Sequence, residues 1–146
     1  MEGSFQINNP LENLNLPWTY ALVTKERPVE YSNSDLLKIK WNSLEDYRII
    51  QKVGRGKYSE VFEGVNTLNR QKVCIKILKP VRHSKILREV KILQNLYSGP
   101  NIIQLLDVAR DEASKTPCLV FEYINNMHYR TLFSRFDDKD VRYYMY

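Results

Sequence analysis

Cysteine and histidine are both scarce in this chain, with two of each in 146 residues. Cys74 and Cys118 lie within apolar stretches, with no CxxC spacing and no neighbouring His pair. That excludes a disulfide framework and a cysteine-histidine metal site, and fits buried free thiols in a reducing compartment. No apolar run approaches the ~20 residues that span a bilayer, so no membrane-crossing helix is expected. The start, Met1 to Asn15, has neither a basic leader nor an apolar stretch, which argues against a signal peptide. Internal repeats and low-complexity tracts are missing as well.

The remaining composition is that of a globular protein, 43% hydrophobic and 27% charged. Its length allows one sizeable core, and a single compact unit is expected. The net charge of +5 is unevenly placed. Residues 47–100 hold 12 Lys/Arg against 3 Asp/Glu, while the segments before and after sum to −3 and −1. A basic middle suits an anionic ligand, whether nucleotide phosphate, acidic substrate or nucleic acid. A solvated basic face without a ligand stays open on charge alone.

Within that basic stretch, Val53-Gly54-Arg55-Gly56-Lys57-Tyr58-Ser59-Glu60-Val61 places two glycines one residue apart between strand-like runs. Glycine tolerates backbone angles closed to other residues and has no side chain to fend off a ligand. Such a turn lets backbone N–H groups approach a phosphate chain, and an ordinary hairpin is the alternative. Tyr47, Ile49, Gln51 and Val53 alternate onto one face, and Val61, Glu63 and Val65 onto another, which reads as a hairpin. Gln71 to Leu78 reads as a third strand, with Val73, Ile75 and Ile77 on one face and Cys74, Lys76 and Leu78 on the other. A lysine on that second, otherwise apolar face needs an anion or a route to water.

Pro80 stops this strand, and Ser84 to Leu96 reads as a helix with Ile86, Val90, Leu93 and Leu96 as its stripe. Glu89 projects into the stripe, where a carboxylate needs a cation. Lys76 is the natural candidate, and a solvated Glu89 at the stripe margin stays open. Ser98-Gly99-Pro100 breaks the helix. Ile102 to Val108 and Pro117 to Tyr123 read as two more strands, with a turn at Arg110 to Thr116 between them. After Asn125-Asn126, short helices are expected at Tyr129 to Phe133 and Lys139 to Tyr146, the latter capped by Asp137 or Asp138. Met1 to Asp46 lacks periodicity, has a short helical piece around Asp35 to Lys40, and is anchored by Trp18, Tyr20, Tyr31 and Trp41.

Glycine turn, strand lysine, helix glutamate and five strands in this order resemble the amino-terminal lobe of the eukaryotic protein kinases. Val53 to Glu63, Lys76-Ile-Leu-Lys-Pro-Val81, Gly99-Pro-Asn-Ile-Ile103 and Leu119-Val-Phe-Glu122 are similar to the casein kinase II catalytic (alpha) subunits, Ser/Thr kinases. The resemblance runs from about Val23 to Tyr146. It implies an α+β fold, a five-stranded antiparallel sheet plus one regulatory helix. Residues 1–46 would be an arm packing on the lobe, 47–124 the ATP-binding lobe, and 125–146 the hinge exit and start of the carboxy-terminal lobe.

Carried onto this chain, the resemblance implies a phosphate-covering loop from Val53 through Gly54, Arg55, Gly56, Lys57, Tyr58, Ser59 and Glu60 to Val61. Ser59 stands where most kinases have a third glycine. Val53, Val61, Cys74 and Ile103 would wall the adenine pocket, with Phe121 as gatekeeper and Glu122 and Ile124 offering backbone hydrogen bonds to the purine. Lys76 would hold the α- and β-phosphates and pair with Glu89. ATP, with GTP as a second nucleotide, is the implied cofactor. The general-base Asp and the Mg2+ ligands would belong to a lobe absent from these residues, leaving the fragment inactive alone.

The implied partners are acidic protein substrates, met by Arg82, Lys85 and Arg88, and the regulatory beta subunit, docked on Ile49, Phe62, Ile75 and Val120. Core filling is the plain alternative for those four. The implied location is cytoplasmic and nuclear, with no membrane or nucleic-acid partner. A non-catalytic module that binds nucleotide or the beta subunit is the second reading, and a basic nucleic-acid-binding domain ranks lower for want of a recognised motif. A dinucleotide-binding βαβ unit fails because a strand follows the turn.

The resembled family carries a dense lysine run where this chain reads Arg82-His83-Ser84-Lys85-Ile86-Leu87-Arg88. Fewer cations steer acidic peptides less strongly. A complete enzyme carrying this segment is predicted to favour distal acidic residues less, and to be inhibited less by polyanions. Peptide pairs with and without distal acids measure this, and an undiminished preference would refute it.

Overall fold

A computed structural model describes residues 23–125 and 127–145. The expected anchors Trp18 and Tyr20, together with Asn126 and Tyr146, lie outside the described residues. Where a single unit is expected, backbone proximity separates the described residues into two: 23–39 with 82–96, and 40–81 with 97–125 and 127–145.

The described part of the first unit is helical. Two four-residue helices, α1 (Val23–Glu26) and α2 (Val29–Ser32), flank Pro28, and a 3-10 turn covers Ser34–Leu36. The last replaces the expected helical piece near Asp35 to Lys40, because the Asn33 side chain accepts from Asp35 N–H at 3.0 Å and caps a single turn. Helix α3 (His83–Asn95) buries Ile86, Leu87 and Val90. Leu87 thus joins the stripe, whereas Leu96 falls beyond the helix end and is 43% exposed. Asn95 donates from Nδ2 to the Tyr31 carbonyl at 2.7 Å, and Arg27 lies over the Tyr31 ring at 5.6 Å. Tyr31 is therefore an anchor of this unit, as its sequence context suggests.

The second unit is built on a six-stranded sheet in the order β1-β5-β6-β4-β3-β2. Its strands are β1 (Asn42–Ser43), β2 (Tyr47–Arg55), β3 (Ser59–Asn66), β4 (Lys72–Leu78), β5 (Leu105–Arg110) and β6 (Pro117–Glu122). Five of these are the antiparallel strands expected. The sixth, β1, is a two-residue parallel pairing with β5 (Asn42↔Ala109, Ser43↔Arg110), too short to leave a period in the sequence. Its position is held from the side: Asn42 Nδ2 donates to Asp107 Oδ1 at 2.7 Å, and the Tyr47 hydroxyl to Asp107 Oδ2 at 2.6 Å. Burial and then the Asp107 carboxylate push the Tyr47 phenol far above its ordinary pKa, so it stays a donor.

Alternation holds in β3 and β4 and fails in β2. The β2–β3 register slips by one residue between Ile49 and Gln51 and again between Lys52 and Gly54, so Ile50 and Val53 are unpaired bulge residues. Ile49, Ile50 and Val53 are all exposed as a result. On one sheet face Val73, Ile75, Cys118 and Val120 are buried together, with Leu44, Tyr47 and Ile77 packed on them. On the other, Leu78, Leu119 and Phe121 are buried while Cys74 and Lys76 are half-buried. Helices α4 (Tyr129–Phe133) and α5 (Asp138–Met145) follow the sheet, α5 capped by Asp137, whose Oδ1 accepts from Lys139 and Asp140 N–H at 2.8 and 2.9 Å.

Gly64 is where the sheet cannot accept a side chain. A Cβ there would meet Ile75 Cδ1 at 2.6 Å and the Arg48 carbonyl at 3.0 Å. Gly64→Ala is predicted to destabilise the chain by about 1–3 kcal/mol through overpacking. Ile75→Val removes the nearest atom, so the double variant should recover part of that loss relative to Ile75→Val alone. Thermal unfolding of the four chains checks this, and strictly additive losses would refute it.

Candidate functional site

The glycine turn is the tip of the β2–β3 hairpin. Gly54 pairs with Val61, and Gly56 N–H donates to the Ser59 carbonyl at 2.8 Å, closing the loop on itself. Among the described residues no glycine has positive φ. A Cβ on Gly54 would lie 3.8 Å from Val61 Cβ, and one on Gly56 3.6 Å from the Ser59 carbonyl, both ordinary contacts. The fold therefore does not demand glycine here as it does at Gly64. What the two glycines provide is two positions of backbone without a side chain, which a ligand can approach closely. Since Gly56 N–H is already committed to Ser59, it is not among the donors that a phosphate would meet.

Two cationic anchors set the loop's position. Lys79, one residue beyond β4, donates from its backbone to the Tyr58 carbonyl at 2.9 Å and from Nζ to the Gly56 carbonyl at 3.0 Å. On the other strand Lys52 Nζ and Arg55 Nε reach Glu60 Oε1 at 2.8 and 3.4 Å. The Lys52 hydrogen bond, above all, holds the Glu60 carboxyl below the usual range. Lys57 lies over the Tyr58 ring at 5.2 Å. The loop is thus cationic, with its single carboxylate neutralised locally.

Beneath it, register rather than sequence proximity assembles the face. Val61, Lys76 and Leu119 are directly opposite one another across β3, β4 and β6, and the next row holds Glu63, Cys74 and Phe121. Lys76 thus stands among apolar neighbours on the strand that follows the glycine hairpin. Cys74 is half-buried and Phe121 is 7% exposed. Burial raises the Cys74 thiol, and Cys118 is pushed to about 11, so both stay protonated at neutral pH.

Glu122 ends β6 and is gripped by Gln104: its N–H donates to the Gln104 carbonyl at 3.1 Å, while its Oε1 accepts from Gln104 N–H at 2.8 Å. With the N–H committed, Glu122 has only acceptor capacity to offer a ligand at its carbonyl. Ile124 is exposed two residues on, and Ile103, also exposed, lies just ahead of the Leu105↔Phe121 pair.

Glu89, Arg82, Lys85 and Arg88 belong to the helical unit. Glu89 is half-buried, and the three cations are exposed at the start of α3, which has no acidic residue in its first turn and no side-chain cap. Of the four expected docking residues, Phe62, Ile75 and Val120 are in register on one face. Ile75 and Val120 are fully buried under the cluster that includes Leu44 and Tyr47, as core filling requires. Ile49 is 43% exposed and Phe62 half-buried, so these two alone present surface.

Sequence reasoning misses Lys79, Gln51, Lys72 and Tyr123 as parts of this assembly. Glu63 could have been flagged, because it alternates onto the same face as Val61 and Val65. A concavity of about 980 Å³ lies elsewhere, at Asn101 and the α5 side chains Lys139, Arg142, Tyr143, Tyr144 and Met145. It has no glycine loop and no buried polar group aimed into it. Among the described residues no three His, Cys, Asp or Glu side chains cluster, so none is assigned to a metal ion. A family model, protein kinase domain, matches residues 47–146, from the first residue of β2 through the whole glycine hairpin, β4 and β6.

If Lys79 anchors the loop, Lys79→Met should speed amide exchange at residues 56–58 by roughly three- to tenfold, about the size of one charged hydrogen bond in a solvated site. Exchange elsewhere in β3 and β4 should not change. Identical loop exchange in both chains would show that the Nζ contact restrains nothing.

Proposed function

The chain belongs to the protein kinase domain family, and on that premise we propose that it forms the ATP-binding part of a Ser/Thr kinase similar to the casein kinase II catalytic subunits. One observation carries this reading: the row Val61–Lys76–Leu119 continues across the sheet from Gly54, so Lys76 lies in line with the base of the glycine hairpin. A cation on an apolar face, in line with a cationic glycine-containing hairpin, suits a polyanion attached to an apolar base. The nucleotide supplies the phosphoryl group that a kinase transfers, here to a Ser or Thr hydroxyl. The chain's own residues hold and orient it.

In this reading Lys76 takes the α- and β-phosphates. Val61, Cys74 and Phe121, which lie in adjacent rows of one face, enclose the purine, with Val53 and Ile103 at the rim. The Glu122 carbonyl and the Ile124 N–H take its hydrogen-bonding edge. ATP is the first nucleotide and GTP a second. Such positioning of charge, rather than covalent chemistry by the protein, carries most of phosphoryl transfer. The exposed cations Arg82, Lys85 and Arg88 face acidic substrates. Ile49 and Phe62 are the accessible remainder of a surface for the regulatory beta subunit.

Calorimetric titration of the 146-residue chain with ATP and with adenosine tests the nucleotide reading. Lys76→Met should weaken ATP at least about tenfold, equivalent to about 1.5–3 kcal/mol for a charged hydrogen bond. Adenosine, which has no phosphates, should bind the variant and the parent equally. Unchanged ATP affinity, or an equal loss for both ligands, would refute the role given to Lys76.

A further inference from the structure

Glu63 is the one buried charged residue among the described residues, at 6% exposure. Its carboxylate accepts from Gln51 Nε2 at 2.8 Å and from Lys72 Nζ at 3.0 Å. The same ammonium lies 5.1 Å from the centroid of the Tyr123 ring. Tyr123 is the first residue after β6, between Glu122 and Ile124. One continuous chain of side chains, Gln51–Glu63–Lys72–Tyr123, therefore runs from β2 across β3 and β4 to the segment leaving the sheet. The Lys72 side chain is 59% exposed, so water is open to it. Holding it instead between a buried carboxylate and an aromatic face orders all three groups.

The segment that Tyr123 belongs to is gripped from its other side as well, by the two hydrogen bonds between Gln104 and Glu122. Glu63 and Cys74 share a row with Phe121, next to the row that holds Lys76. The charged chain thus borders the candidate base-binding face at the end away from the glycine loop. Hydrogen bonding keeps Glu63 below the usual carboxylate range, chiefly from Gln51 and then Lys72, and Glu63 in turn raises Lys72. The pair is ionised at neutral pH, and its contribution to stability is lost as pH falls through the lowered Glu63 range.

We propose that Glu63 and Lys72 are positioning residues for residues 122–124, fixing through the Tyr123 ring where the backbone meets the purine. This rests on the nucleotide reading above and deepens it. Lys76 acts at the phosphate end of the ligand, whereas Lys72 acts at the base end without touching it.

The two roles separate in the ATP and adenosine titrations. Lys72→Met and Tyr123→Leu should each weaken ATP and adenosine alike, by roughly two- to fivefold, the scale of one exposed cation–aromatic contact. Lys72→Arg and Tyr123→Phe keep a cation and a ring in place and should restore binding. The double variant Lys72→Met/Tyr123→Leu should be no weaker than either single one, because both remove the same contact. A loss confined to ATP would mean that Lys72 acts on phosphate charge, and would overturn the proposal. Parent-like affinity of Lys72→Met for both ligands would overturn it too while leaving the nucleotide reading intact. If the parent chain binds neither ligand, that reading fails and the proposal with it.

Discussion

The candidate site depends on the register of β4 between β3 and β6. A strand displaced by one residue turns every side chain to the opposite face. Lys76, Cys74 and Leu78 would then exchange places with Val73, Ile75 and Ile77. A cation would enter the core cluster with Cys118 and Val120, and Ile75 would face the glycine hairpin. Burying an unpaired lysine costs far more than the few kcal/mol by which a domain is stable. Gly64 fixes the same register sterically, because Ile75 fills the space where its side chain would be. Core packing and ligand chemistry are therefore two sides of one strand alignment.

That alignment explains the division of labour across the sheet. The face with Val73, Ile75, Cys118 and Val120 is sealed by Leu44, Tyr47 and Ile77, and supplies hydrophobic stabilisation. The opposite face carries the polar exceptions. Lys76 sits in one row and Glu63 in the next, each on a strand whose neighbours are apolar. Glu63 is satisfied within the chain by Gln51 and Lys72, as a buried carboxylate must be. The hairpin at the end of this face is braced by Lys79 at its tip and by Lys52 and Arg55 through Glu60.

Much of this is legible in the residues. The five long strands, α3, and the short helices near Tyr129 and Asp138 follow from alternation, helical spacing and caps. Lys76 stands out because a lone cation interrupts an apolar face. Where legibility ends, the cause is local and identifiable. The β2 alternation misleads because two bulges each insert a residue, and bulges leave no period in a sequence. The α3 stripe is misread by one position because helix ends and stripe edges depend on what packs there. β1 is two residues long, and its pairing is set by Asn42 and Tyr47 meeting Asp107, sixty or more residues away in the chain.

The amino-acid sequence by itself determined the order and type of the longer elements, the two-faced character of β4 and the position of the glycine hairpin. It did so because side-chain period and turn chemistry are local properties. Tertiary structure alone decided which rows those residues share: Val61 with Lys76 and Leu119, Glu63 with Cys74 and Phe121. It also decided that the loop glycines are not left-handed, that Lys79 holds the loop, and that Lys72 joins Glu63 to Tyr123. Those contacts join strands far apart in the chain, and only the pairing of the strands brings their side chains within hydrogen-bonding or aromatic reach.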